Sequence, residues 1–126
     1  MELVKNEPKY WDFIRQLRNM DGVRQGFIEQ AHISQEQHEE YMRKNSDFFY
    51  ICVDKGTPMG YVGIIEDDIR VATLPNHQGK GVASFMITEV MKKNPNAFAK
   101  VKLGNKASLR LFESCGFRKK YYILEK

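Results

Sequence analysis

The chain is poor in the residues that would commit it to several common designs. It has 2 cysteines, 3 histidines and 1 tryptophan in 126 residues. Cys52 and Cys115 share no ligand spacing with the histidines, so neither a metal site nor a disulfide framework organises the sequence. Cys52 falls in a strand pattern and reads as a small core residue. Long apolar runs are missing, and the short ones cannot span a bilayer. The opening Met1-Glu2-Leu3-Val4-Lys5-Asn6-Glu7 lacks the apolar core of a signal peptide. A cytoplasmic location without membrane contact is therefore expected. Repeats, low-complexity tracts and long linkers are also missing. What is present is 42% hydrophobic residues, enough for one domain, residues 1–126, with a core of its own.

The net charge is +4 and the sequence pI about 9.1. Lys92, Lys93, Lys100, Lys102, Lys106, Arg110, Arg118, Lys119 and Lys120 concentrate the basic charge in the last third of the chain. Two readings stand side by side: a solvated face, or a surface that attracts a polyanionic ligand. No stretch interleaves aromatic and basic residues, so nucleic acid is not an expected partner.

Periodicity gives a regular order of elements. Glu2 to Lys5 reads as a short strand. Pro8 opens a helix through Trp11, Ile14, Leu17 and Arg18, broken at Asp21-Gly22. A short helix is predicted over Val23–Gln30. Ser34 and Gln37 form a capping-box pattern for a helix to about Lys44, with His38 on a face that packs under a sheet. Phe48–Val53, Met59–Ile65 and Ile69–Leu74 read as a three-strand meander, joined by Asp54–Pro58 and by the acidic turn Glu66-Asp67-Asp68. Helix is predicted over Ser84–Lys93, strand over Ala97–Leu103, helix over Lys106–Cys115 and a last strand over Phe117–Leu124.

The segment Gln78-Gly79-Lys80-Gly81-Val82-Ala83-Ser84 stands out in this order. It lies between a strand with its turn, Pro75-Asn76-His77, and the apolar helical pattern of Phe85, Met86, Ile87, Val90 and Met91. A glycine turn at a helix start leaves backbone N–H groups unpaired, and with the helix dipole they suit phosphate oxygens. Gly79 and Gly81 let an anion approach the backbone closely. Tight helix packing is the alternative reason for two glycines. The spacing fits neither a P-loop nor the dinucleotide fingerprint. A second motif lies downstream, Asn105-Lys106-Ala107-Ser108-Leu109-Arg110-Leu111-Phe112-Glu113-Ser114-Cys115-Gly116-Phe117. Asn105 suits an N-cap, Leu109 and Phe112 share a face, and Gly116 suits a C-cap.

The Gln-x-x-Gly-x-Ala spacing resembles the pyrophosphate loop of the GNAT family of N-acetyltransferases. The Asn105 to Phe117 stretch resembles the other half of that family's cofactor site, in the family's order and at its spacing. The resemblance extends over essentially the whole chain. It implies an α/β fold, a mixed and mostly antiparallel sheet with helices on both faces. The family's usual last strand is missing, which shortens one arm of the sheet and leaves a homodimer open. Acetyl-CoA is the implied cofactor. Its pyrophosphate would lie on Gln78, Gly79, Lys80, Gly81, Val82, Ala83 and Ser84. Its arm would lie beside Val71, Ala72 and Thr73, in a gap between the strands Ile69–Leu74 and Ala97–Leu103. Asn105, Ser108 and Phe112 would complete the cofactor site.

The same resemblance assigns the chemistry. The Val71 N–H would polarise the thioester carbonyl. The family's register points to Asp67 as the base, with Glu66 and Asp68 as neighbours that could act instead; a solvated acidic turn is the plain alternative. The position of the family's usual acid, a tyrosine, holds Phe112. Tyr121 and Tyr122 could replace it only on a sheet bent inward. The acceptor would be the primary amine of a small molecule. Leu17-Arg18-Asn19, Val23-Arg24, Phe27, Ile33-Ser34 and Glu36 to Tyr41 are similar to acetyltransferases acting on nucleotide-linked aminosugars. Arg18, Asn19 and Arg24 would then face the acceptor. A protein or peptide amine acetyltransferase and a weak CoA-binding module are the alternatives.

Overall fold

The computed structural model describes residues 1–23 and 32–126. The strands are β1 (Glu2–Lys5), β2 (Phe49–Asp54), β3 (Thr57–Ile65) and β4 (Asp68–Thr73). They form an antiparallel sheet in the order β1-β2-β3-β4. Two tight turns fix its register. Lys55 and Gly56 have φ of 51° and 79°, and Glu66 and Asp67 have 52° and 65°. Positive φ at both central residues gives the turn whose twist matches that of paired strands. Asp54 therefore lies opposite Thr57, and Ile65 opposite Asp68.

Alternation along the strands divides the core in two. Ile51, Val53, Tyr61 and Ala72 pack on one face with Ile14, Leu17 and Met42, from helices α1 (Pro8–Asn19) and α2 (Gln35–Asn45). Cys52, Val62, Ile64 and Ile69 pack on the other with Met86, Ile87, Val90 and Phe112, from helices α3 (Val82–Lys93) and α4 (Lys106–Ser114). The expected helices thus cover both faces. Their ends follow the sequence signals. Pro8 sits in the first turn of α1, and Ser34 and Gln37 form the capping box of α2. Asn105 Oδ1 accepts the Ser108 N–H at 3.1 Å to start α4. Gly116, at φ 93°, ends it: the Gly116 N–H bonds Glu113 O at 3.1 Å and the Phe117 N–H bonds Phe112 O at 3.0 Å, the glycine-terminated cap.

Two expected strands take another form. Of Ala97–Leu103, only Phe98 pairs, in an isolated parallel bridge to Asp68. The Ile69 N–H donates to Phe98 O at 2.9 Å and the Phe98 N–H to Asp67 O at 2.8 Å. Residues 117–126 form no regular element, and Leu124 is 91% exposed. β-propensity describes a side chain's fit to a pleated, half-buried surface; residues 99–103 leave the β4 edge unpaired after Phe98 and residues 118–126 are exposed, so neither segment is held against a partner strand. The helix expected over Val23–Gln30 lies outside the described residues except for Val23, which is buried in a turn.

Candidate active site

The register of β4 decides which of its backbone groups are available. In a two-residue hairpin the flanking pair, Ile65 and Asp68, is hydrogen-bonded, and bonded pairs then alternate. Asp68, Arg70 and Ala72 therefore turn their peptide groups toward β3. Ile69, Val71 and Thr73 turn theirs to the outer edge. The bond from the Leu74 N–H to Met59 O, 3.0 Å, keeps the same phase. On the outer edge Ile69 is taken up by Phe98. Residues 99–103 do not continue the pairing, so a cleft opens at Val71.

That cleft belongs to a cavity of about 770 Å³, within the range of small-ligand sites. Asp68, Val71, Ala72 and Thr73 line it from β4, and Gln78, Gly79, Gly81, Val82, Ala83 and Ser84 from the glycine turn and the start of α3. Asn105, Ser108 and Phe112 line it from α4, and Arg18 from α1. The two sequence motifs therefore meet across one space. Lys80 is exposed and does not line it. Glu66 and Asp67 are exposed at the hairpin tip, outside the cavity. Asn19 also lies away from it: its side chain clamps Ile33, donating to the carbonyl at 2.8 Å and accepting the N–H at 3.0 Å. Arg24 lies outside the described residues.

The glycine turn fits an anion. No side chain caps α3, whose N-cap is Gly81, so its first-turn N–H groups lack intrahelical partners. Gly79 and Gly81 have φ of 76° and 83°, and a Cβ added at either would meet nothing within 4 Å. The backbone is thus bare on the side that faces open space. Gln78 Nε2 donates to Thr73 O at 3.3 Å, tying the turn to β4.

Among the described residues, the lining carries the cations Arg18, Arg70, Lys100 and Arg110 and one carboxylate, Asp68. Lys100 Nζ lies 3.9 Å from Asp68 Oδ2. Burial pushes the Asp68 carboxyl above its ordinary range, against the pull of Lys100 and Arg70. Phe112 is buried edge-on to Phe117, with ring centroids 5.2 Å apart, and has no proton to give. Tyr121 and Tyr122 are 81% and 89% exposed and do not line the cavity.

Residues 11–117 match the profile of the Acetyltransferase (GNAT) family. The chain belongs to that family. It is an acetyl-CoA-dependent N-acetyltransferase, and the bare glycine turn and the free edge of β4 fit that cofactor. Similar solved structures include spermidine N-acetyltransferase from Vibrio cholerae in complex with CoA and spermine. That protein is 23% identical over 99% of this chain and 85% of its own, with a TM-score of 0.84. Ribosomal-protein-alanine N-acetyltransferase from Brucella melitensis is 16% identical over 94% of this chain and 85% of its own, TM-score 0.77. AAC(6')-Iy, in complex with the bisubstrate analogue CoA-S-monomethyl-acetylneamine, is 15% identical over 99% and 95%, TM-score 0.74. At these identities the likeness speaks for the GNAT fold alone. No curated protein sequence matches the chain.

Lys100 and Arg110 belong to the basic cluster of the last third of the chain; Arg70 is not singled out in the sequence. For Arg70 a signal was available: a lone arginine between Ile69 and the apolar pair Val71 and Ala72 asks for a polar destination. No group of acidic, histidine or cysteine side chains among the described residues could hold a metal ion. No helix among them is long and apolar enough to cross a membrane.

Proposed function

We propose that this protein acetylates the primary amine of a small acceptor that also carries negative charge, an aminosugar nucleotide being the class its first helices resemble. The observation that carries this reading is the charge of the cavity. Four cations and one carboxylate line it among the described residues. A polyamine acceptor is a polycation and would meet like charge there, which disfavours binding. An amine with a phosphate group meets opposite charge.

Acetyl-CoA supplies the thioester: the amine nitrogen bonds to the acetyl carbon as the carbon–sulfur bond breaks. The Val71 N–H, on the open edge of β4, donates to the carbonyl oxygen where negative charge develops, a contribution of a few kcal/mol when such a donor is preorganised. Asp68 is the carboxylate of the acidic turn that reaches the cavity. It takes the amine proton through water, and its raised pKa brings it nearer the working range of a general base. With Phe112 inert, the departing thiolate takes its proton from solvent. Asn105 holds the start of α4 against the cofactor side of the cleft.

The test is thiol release from acetyl-CoA with matched amines. A UDP-linked 4-amino-4-deoxysugar should be turned over with a higher kcat/KM than spermidine. The reverse order would refute the acceptor reading.

A further inference from the structure

Among the described residues, Arg70 is a charge with no carboxylate partner. It sits in the middle of β4 between Ile69 and Val71, opposite Gly63 on β3. Its side chain shares a face with Ala72, which packs with the α1 and α2 cluster. Ile69 and Val71 pack on the α3 side. Arg70 therefore lines the cavity from the face opposite the glycine turn. Its Nη1 donates to the Tyr41 hydroxyl oxygen at 3.4 Å. That partner is a neutral phenol, and among the described residues no carboxylate lies within ion-pair distance of Arg70. Asp68, two residues before it, is paired with Lys100 instead.

A second guanidinium comes to the same place from α1. Arg18 lines the same cavity and acts electrostatically on the hydroxyl of Tyr61, whose side chain is fully buried; Arg70 and Tyr41 act on that hydroxyl too. Burial pushes the Tyr61 hydroxyl up to about 12, so it stays neutral at physiological pH. Arg70 is thus positioned by a phenol hydroxyl, and both arginines act on the buried Tyr61 hydroxyl. A hydroxyl fixes the geometry of the Arg70 guanidinium without cancelling its charge. A planar fork of N–H donors is the group that best binds phosphate, in a two-point contact.

We infer that Arg70, with Arg18 beside it, forms a phosphate-binding subsite for the acceptor on the cavity wall between α1 and β4. The inference rests on the acetyltransferase reading for the word acceptor, and on the geometry alone for the phosphate. The cofactor's pyrophosphate has its own place at the start of α3. The subsite then orients the acceptor: an anion held at Arg70 lies on the strand that also carries Asp68 and the Val71 N–H, so one element positions both the anchor and the reacting amine.

The probes are glucosamine and glucosamine 6-phosphate, which differ by the phosphate alone. Calorimetry is done on protein saturated with CoA, so that the glycine turn is occupied. The phosphate ester should bind about 10- to 100-fold more tightly than the neutral amine, the range for a charge-assisted contact. Arg70→Gln should collapse that ratio to within about threefold of unity, and Arg70→Lys should keep part of it, because a point charge lacks the fork. The preference should also weaken as salt is raised. Equal binding of the two amines by the wild-type protein, or a ratio unchanged in a folded Arg70→Gln variant, would overturn the subsite. Thiol release with the same probes reports separately on acetyl transfer. A binding preference without turnover keeps the subsite and removes the acceptor role; turnover without preference does the opposite.

Discussion

Replacing Gly81 by alanine separates the binding role of the glycine turn from its folding role. Gly81 has φ of 83°, and a Cβ there would meet no atom within 4 Å. The substitution therefore creates no clash in the protein. Its penalty is the left-handed backbone, about 1–2 kcal/mol for an L-residue. In a domain of this length that lowers Tm by about 3–8 °C. Gly56, in the hairpin between β2 and β3, is a matched control: its φ is 79° and its Cβ direction is equally open. Gly56→Ala should lose about the same Tm. The two should differ in CoA binding. At Gly81 the added methyl group enters the space an anion needs to reach the N–H groups of α3. Loss of one charge-assisted contact is worth about 1.5–3 kcal/mol, a rise in Kd of about 10- to 100-fold. Gly56→Ala should bind CoA as the wild type does. Calorimetry with CoA and thermal melts of all three proteins decide the matter. Equal Tm losses with a wild-type Kd in Gly81→Ala would refute the placement of the pyrophosphate.

Two other side chains give pH-dependent outcomes. Asp68→Asn should lower kcat/KM by about two to four orders of magnitude, while Glu66→Gln and Asp67→Asn, at the exposed tip, stay near wild type; equal losses in all three would remove Asp68 as the base. Because burial raises the Asp68 pKa above 3.8, its folded form binds protons more readily than its unfolded form. That contribution to stability falls as pH rises through this window, so Asp68→Asn should melt no lower than wild type at pH 7. His38 titrates with the opposite sign. It is 3% exposed with no partner for Nε2, and burial holds its pKa below 6.5. Its contribution is fully present above pH 6.5 and is lost as pH falls through the lowered value. Urea midpoints should drop between pH 7.5 and 5, and His38→Gln should flatten that limb; an unchanged slope would clear His38 of the effect.

Local chemistry made much of this legible in the sequence. The capping box at Ser34 and Gln37, the proline at the start of α1 and the Asn105 cap depend on neighbours a few residues away, and each element forms where those signals lie. The glycine turn and the Asn105 motif could be read as a pair because both sit at helix ends, where residue type and backbone geometry are tightly linked. Residues 97–103 and 117–124 have strand composition and are not strands: composition does not decide whether a segment pairs, and beyond Phe98 the edge of β4 stays open. The acidic turn shows a related limit. Glu66, Asp67 and Asp68 look alike in sequence, yet the hairpin phase puts two at an exposed tip and one in the cavity. Arg70 was missed for the same reason: its destination depends on Tyr41, 29 residues away. Asn19 looked like an acceptor contact and instead ties α1 to Ile33, a link between distant residues that a local pattern does not reveal.

Residue-resolved amide hydrogen exchange, with and without acetyl-CoA, tests most directly whether the cofactor occupies the cleft between β4 and α3. Addition of acetyl-CoA should slow exchange at Val71 and Thr73, on the open edge, and at the amides from Gly79 to Ser84. Ala72 should change little, since its N–H already faces β3. Saturation binding that leaves Val71 and the glycine turn exchanging as in the free protein would contradict the account.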